Sequence, residues 1–304
     1  MSPTPPRPWP PSHGNADRAR SARLVGAPIL ERKMSVHAVT LRRLAGLTLA
    51  LPLAAVLLAP WLFPGDPREP SGAPFVAPNL AHLLGTDDLG RDLLAALAHG
   101  GRASLLSGSV VTLGAALLAL GLGVVAAMAS PFWDRLLLRL MDLSQVVPRF
   151  FLALLASAWL GPGWLPLALI LALTGWATLA RLVRAEARAL RHAAFVEAAL
   201  LLGASRASVA LRHLLPNVLP LAWPQLPLIF ASALLIEAGL CFLGAGDPNR
   251  LSWGILIQTG QSQALRGWWL ALFPGLALAL TSVGLSLLAL GRREPGRDGE
   301  PAGG

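Results

Sequence analysis

The sequence predicts an all-α membrane protein with six transmembrane helices. Hydrophobic residues make up 54% of its 304 residues and charged residues only 13%, whereas an ordinary soluble domain has about 25% charged residues. The mean hydropathy is +0.58. Six apolar stretches are long enough to cross, as helices, a hydrocarbon core about 30 Å thick. Together these observations argue against a water-soluble protein.

Turn and interface residues mark several ends of the six predicted spans. Gly161-Pro162-Gly163 is a tight turn that separates the third span from the fourth. Trp164, Trp268 and Trp269 lie at span ends, where indole rings favour the membrane interface. The spans are predicted at residues 44–65, 103–128, 136–160, 164–182, 217–243 and 268–290.

The chain divides into four segments. Residues 1–40 are rich in proline and arginine and are predicted to be a disordered cytoplasmic tail. Residues 41–101 contain the first span and an extracytoplasmic segment. Residues 102–290 contain the other five spans and form the core, and residues 291–304 are predicted to be a second cytoplasmic tail.

The basic residues are distributed unevenly around the spans, and their distribution predicts the orientation. Nineteen of the 25 Lys and Arg residues lie in the segments on one side of the predicted membrane, and five lie in the alternate segments. Segments with an excess of Lys and Arg stay in the cytoplasm. Both termini and the loop at residues 181–213 are therefore predicted to be cytoplasmic.

Several kinds of active site are excluded by composition. The only lysine, Lys33, is followed by Met34, so the Gly-Lys-Ser/Thr sequence of a phosphate-binding P-loop is absent. The single cysteine, Cys241, rules out an internal disulfide framework or a cysteine-rich metal site. Neither a Ser-His-Asp order nor an HExxH sequence is present. We therefore predict a non-catalytic chain with no metal and no cofactor, which uses ATP only through another protein.

The loop from residue 181 to residue 217 is too rich in alanine and leucine for a flexible connector. Two helical stretches meet at Gly203, and Pro216 precedes the fifth span. A short helix with an exposed apolar face is a docking element for a soluble partner. An interfacial helix resting on lipid headgroups remains an alternative. The apolar face is formed by Phe195, Val196, Leu200 and Leu201.

This loop resembles the EAA loop of permeases in binding-protein-dependent ABC importers. The resemblance rests on Glu197-Ala198-Ala199, on Gly203 six residues after the glutamate, and on Leu215-Pro216-Asn217. It implies a type I importer permease fold, with a coupling helix at about residues 186–216 that docks on an ATPase subunit. Gly203 is expected at a turn where a side chain would clash. The implied coupling residues are Glu197, Ala198, Ala199, Gly203, Ala204, Ser205 and Pro216.

Three further segments resemble one subfamily, the C-type permease of dipeptide, oligopeptide and nickel importers. Residues 82–92 are similar to its extracytoplasmic signature, residues 237–254 to its fifth span and the following loop, and residues 269–275 to the start of its sixth span. The resemblance implies a bacterial inner-membrane protein that contacts lipid, a B-type permease, two ATPase subunits and an extracytoplasmic binding protein, but no nucleic acid. The signature residues are Gly85, Thr86, Asp87, Gly90, Arg91 and Asp92.

Arg149 is a charge deep in the third predicted span. Such a charge costs at least about 2.5–3.5 kcal/mol in the membrane, so it is expected to face a cavity or a partner. It could contact a solute carboxylate, or it could pair with Asp142, Glu237 or another subunit.

For the acidic signature residues, two roles remain open: capping of a helix, or forming a surface that the binding protein contacts.

Two other functions remain as alternatives. A secondary transporter would need ion-coupling charges and internal repeats, and the six-span unit is not repeated. A membrane scaffold could use the 181–217 loop to recruit a cytosolic partner. The sequence also leaves the solute open among dipeptides, oligopeptides, and nickel or other metal chelates.

Overall fold

The computed structural model describes residues 40–41 and 43–290 of the chain. Within these residues the regular structure is helical, and the sole β-type pairing is an isolated bridge between Thr86 and Asp92. The predicted tails, residues 1–40 and 291–304, lie outside the described residues except for Thr40.

The described residues form twelve α-helices. A π-helical turn at Ala210–Leu214 and a 3-10 turn at Trp223–Gln225 join α8, α9 and α10 into one helical run. The helices are α1 (Arg43–Leu62), α2 (Leu93–Met128), α3 (Pro131–Val146), α4 (Arg149–Leu160), α5 (Trp164–Gly175), α6 (Ala177–Leu190), α7 (Ala194–Leu201), α8 (Arg206–Val209), α9 (Leu215–Ala222), α10 (Leu226–Phe242), α11 (Trp253–Ser262) and α12 (Trp269–Leu290).

Five of the helical runs in the described residues are long and apolar enough to cross a membrane, and the bent pair α3–α4 would make a sixth span. The third predicted span is not one straight helix, because α3 and α4 meet at an angle of 80°. Pro148 explains the break: it cannot donate a backbone hydrogen bond, and it disfavours a helical conformation at Val147. The fold is that of an all-α multi-pass membrane protein.

The longest helix of the core, α2, is covered by its neighbours because its buried face is built from small residues. Fourteen of its 18 buried residues are Ala, Gly or Ser. A Cβ atom added at Gly123 would lie 2.7 Å from Cγ1 of Val183 and 2.8 Å from the carbonyl oxygen of Ala180 in α6. Small residues allow helices to approach closely inside a membrane. Alanine and glycine therefore set the distance between α2 and α6.

Helix α11 lies against α2, α10 and α12 at the end of the bundle that also holds the 63–92 segment. Trp253 is 1% exposed. Its indole N–H donates a hydrogen bond to the carbonyl oxygen of Leu97, and its backbone N–H donates one to Ser104. Ser252 caps the helix by accepting from the backbone N–H of Ile255. One tryptophan thus fixes α11 on α2.

Replacing Gly260 by alanine is expected to destabilise the contact between α11 and α12. A Cβ atom at residue 260 would overlap the backbone of Leu270 and Ala271, and overpacking of this kind costs about 1–3 kcal/mol. The thermal unfolding midpoint of the purified chain in detergent should fall. Gly275→Ala is the matched control, because nothing lies within 4 Å of a Cβ atom at that residue of α12. An equal loss of stability in both variants would contradict this account.

Candidate functional site

Helix α7 presents an apolar surface to the outside of the bundle. Leu201 and Leu202 are each 89% exposed, and Phe195 and Leu200 are also exposed. Val196 is fully buried in the core cluster around α2 and α6. A single buried side chain therefore anchors the helix, while its large apolar side chains remain available to a partner.

The end of α7 has the hydrogen bonds of a Schellman motif. The backbone N–H of Ala204 donates to the carbonyl oxygen of Ala199, and that of Gly203 donates to Leu200. Gly203 has a φ of +88°, a conformation that other L-residues rarely adopt, and nothing lies within 4 Å of a Cβ atom built there. The backbone conformation, and not the expected clash, is what requires glycine at this turn.

The remaining coupling residues lie on or beside this loop. Ser205 begins the next helix by accepting from the backbone N–H of Ser208 at 3.2 Å. Glu197 and Ala198 are exposed on α7, Ala199 is half-buried, and Pro216 is exposed in the first turn of α9. Glu197 has no ion pair among the described residues. Its carboxylate is therefore accessible to a basic group on a partner.

An ion-pair cluster that the sequence analysis missed holds α6 against α3. The guanidinium of Arg184 donates two hydrogen bonds to the carboxylate of Asp134, at 2.6 and 2.7 Å, and Arg188 donates a third at 2.9 Å. The guanidinium of Arg191 donates to the carbonyl oxygen of Ala127 in α2. The sequence signal was the i, i+4 spacing of Arg184 and Arg188, which places both on one helix face, but the aspartate is 50 residues away.

A basic cleft of about 710 Å³ lies beside this cluster. Only one acidic residue, Asp134, is among the residues that line it, and that carboxylate is already paired. The cleft therefore has an excess of positive charge close to α7. The basic residues that line it are Arg135, Arg184, Arg188, Arg191 and Arg206.

The signature at residues 82–92 is a hydrogen-bonded turn that begins α2. The Thr86 side chain is completely buried; it donates to the carbonyl oxygen of Ala73 and accepts from the backbone N–H of Val76. The indole of Trp269 donates to the carbonyl oxygen of Thr86. Gly85 has a φ of +80° and is packed against that indole ring. This threonine therefore joins the 63–92 segment to α12.

The acidic signature residues make local hydrogen bonds in the described structure. Asp92 is the N-cap of α2, accepts from the backbone N–H of Ala95, and lies 2.9 Å from the imidazole of His82. Asp87 accepts from the backbone N–H groups of Leu89 and Arg91. Helix capping accounts for Asp92, whereas Asp87 stabilises the turn that precedes the helix.

Gly90 and Arg91 tie the same turn to the preceding part of the segment. Gly90 has a φ of +77°, and a Cβ atom there would overlap the carbonyl oxygen of Gly72. The Arg91 guanidinium donates to the carbonyl oxygen of Arg68 at 2.7 Å. A surface role for the signature in binding another protein stays a prediction.

The three intramembrane candidates lie in different places. Asp142 pairs with Arg181, at 2.5 Å, and not with Arg149. Glu237 is buried on α10, and no ion pair of its carboxylate occurs among the described residues. Arg149 begins α4 and lines a separate cavity of about 650 Å³. Neither of the two predicted carboxylate partners is paired with it in the described residues.

Comparison with known proteins identifies the family. The model of the binding-protein-dependent transport system inner membrane component matches residues 119–291. The chain is 33% identical to the di/tripeptide transport system permease protein DppC of Pseudomonas aeruginosa (strain UCBPP-PA14), over 78% of this chain and 81% of that protein.

Two further relatives carry provisional names of the same type. A protein of Brucella suis biovar 1 (strain 1330), provisionally named a peptide transport system permease, is 38% identical over 83% of this chain and 86% of the relative. A protein of Escherichia coli (strain K12), provisionally named the D,D-dipeptide transport system permease DdpC, is 34% identical over 81% and 83%. The chain therefore belongs to the family of binding-protein-dependent transport system inner membrane components, the permease subunits of ABC importers.

Proposed function

We propose that this permease is the C-type subunit of an importer for peptide-like solutes. In this proposal it forms the transmembrane pathway together with a B-type permease. A binding protein delivers the solute outside the membrane, and two ATPase subunits act in the cytoplasm. The names of the relatives favour a peptide over a metal chelate.

The observation that carries the proposal is the exposed apolar surface of α7. Three large exposed side chains lie on this helix of only eight residues, and a fourth, Leu202, follows it directly; such a helix fits a groove on a soluble partner. The chain contains no P-loop lysine, because its single lysine, Lys33, precedes Met34. ATP must therefore be bound by the partner that α7 contacts, and the chain itself remains non-catalytic.

Movement of α7 would reach the membrane through the helices on either side of it. On one side, α6 continues α5 in a single run from Trp164 to Leu190. On the other side, α8 leads through the π-helical turn into α9 and α10. Because Asp134 clamps α6 to α3, a displacement of α7 would turn these helices as a rigid body. Closure of the ATPases would thus change the side of the membrane to which the pathway is open.

Uptake by the complete assembly tests the proposal. The chain is produced with the subunits encoded by neighbouring genes and reconstituted in proteoliposomes with the binding protein. ATP should drive uptake of di- and tripeptides, and the chain reconstituted alone should transport none. Uptake driven by a proton gradient in the chain alone would instead favour a secondary transporter, and an assembly without an ATPase would favour a scaffold.

Gly203→Val is expected to weaken the stimulation of ATP hydrolysis by the transported peptide. A left-handed conformation costs an ordinary L-residue about 1–2 kcal/mol, and a β-branched residue tolerates it worst, so the end of α7 should refold. The rate of peptide-stimulated ATP hydrolysis by the purified complex should fall at least about fivefold. Gly203→Asn is the matched control, since asparagine tolerates this conformation. Equal rates in wild type and Gly203→Val would contradict the role of the loop.

The proposed orientation is tested by cysteine labelling in a Cys241→Ser background. Ala198 is exposed on α7 and Glu69 is exposed in the 63–92 segment. A membrane-impermeant maleimide added to intact spheroplasts should label Glu69→Cys but not Ala198→Cys, because both termini and α7 are proposed to be cytoplasmic. Permeabilised cells provide the control in which both variants are labelled. The reverse labelling pattern would exclude an α7 that contacts a cytoplasmic ATPase.

A further inference from the structure

The cavity that contains Arg149 is bounded by helices that belong to the membrane-spanning core. Its walls come from α4, from the α5–α6 run, and from α10 with the 3-10 turn that precedes it. Five of the eleven residues on these walls are polar, and the volume of about 650 Å³ is large enough for a short peptide. The polar residues that line it are Arg149, Thr178, Arg181, Gln225 and Ser232.

Arg149 lies close to the middle of the predicted membrane. Leu160, the last residue of α4, is the twelfth residue of the helix that Arg149 begins, so the two are roughly 17 Å apart at 1.5 Å per residue. The same distance separates Gly175 from Trp164 at the start of α5. Since the hydrocarbon core is about 30 Å thick, the guanidinium is near the midplane, where lipid would solvate it poorly.

The Arg149 guanidinium has no hydrogen bond or ion pair among residues 40–41 and 43–290. Neither predicted carboxylate partner pairs with it: Asp142 pairs with Arg181, and Glu237 has no ion pair among the described residues. Gly175 contributes to the space around it, because a Cβ atom there would lie 3.3 Å from Nη1 of Arg149. Arg149 is half-buried, and an unpaired cation at this depth is stabilised by an anionic partner, which the rest of the described chain does not supply.

We propose that Arg149 binds the carboxylate of the solute as it crosses the membrane. The planar guanidinium presents parallel N–H donors that match the two oxygens of a carboxylate. The first turn of α4 adds the positive end of a helix dipole at the same residue. This inference rests on the proposed import of peptides and specifies the solute further: it carries a free carboxyl group, as the C-terminus of a short peptide does.

The uptake of alanine peptides by the reconstituted complex tests this proposal. Wild type, Arg149→Gln and Arg149→Lys are compared with an equimolar mixture of di-, tri- and tetra-alanine as the probe. Arg149→Gln should lose at least about tenfold in uptake rate, because a charge-assisted hydrogen bond is lost, and Arg149→Lys should recover a part of it. Arg139→Gln is the matched control, since Arg139 is exposed on α3 and does not line the cavity; its uptake should equal that of wild type.

The outcomes separate this proposal from the proposed function. If the wild-type complex takes up none of the peptides, the proposed function fails and this inference fails with it. If wild type transports and Arg149→Gln transports equally well, only the role of Arg149 is refuted.

A structure of the wild-type complex loaded with tri-alanine distinguishes the two anions that could pair with Arg149. A peptide carboxylate within hydrogen-bonding distance of the guanidinium supports the proposal. A carboxylate of the partner permease in that position, or a guanidinium with no anion beside it, overturns it. Loss of the B-type permease from purified Arg149→Gln would likewise identify an intersubunit ion pair instead.

Discussion

The close contact of α2 with α6 is the constraint on which the rest of the molecule depends. Apolar side chains gain little by leaving lipid for a protein interior, so the helices are held by close packing and polar contacts. Alanine and glycine on α2 allow α6 to approach, and Val183 fills the space at Gly123. The Asp134 cluster then fixes the direction in which α6 leaves the bundle. Helix α7 depends on both for its position.

The sequence predicted the features that arise from local pattern. Apolar runs located the spans, and the turn at Gly161-Pro162-Gly163 separates α4 from α5 as expected. The extent of the helices was less predictable, because α2 begins ten residues before the charge-free stretch starts at residue 103. Its first turns pack against other parts of the protein and not against lipid, so they tolerate the polar residues that ended the predicted span.

The long-range contacts were not predicted from the sequence. The hydrogen bond between Trp269 and Thr86 joins residues 183 apart, and the ion pair of Arg184 with Asp134 joins residues 50 apart. Hydrophobic periodicity carries information only along one helix, so neither contact has a signal in it. The bend at Pro148 did have a signal in the sequence, the proline itself. Because a proline inside a membrane helix is often tolerated, this signal alone did not predict a bend.

The π-helical turn at Ala210–Leu214 has a consequence for the geometry between α7 and the pathway. A turn of this kind accommodates one residue more than an α-helix, and each residue of an α-helix rotates the chain by about 100°. The number of residues here therefore sets the angle between the end that carries α7 and the face of α10 that lines the cavity. Deletion of a single residue would rotate the end that carries α7 relative to this face of α10, although the side chains of both would be unchanged. Segment length is thus as strict a requirement as the identity of any side chain in it.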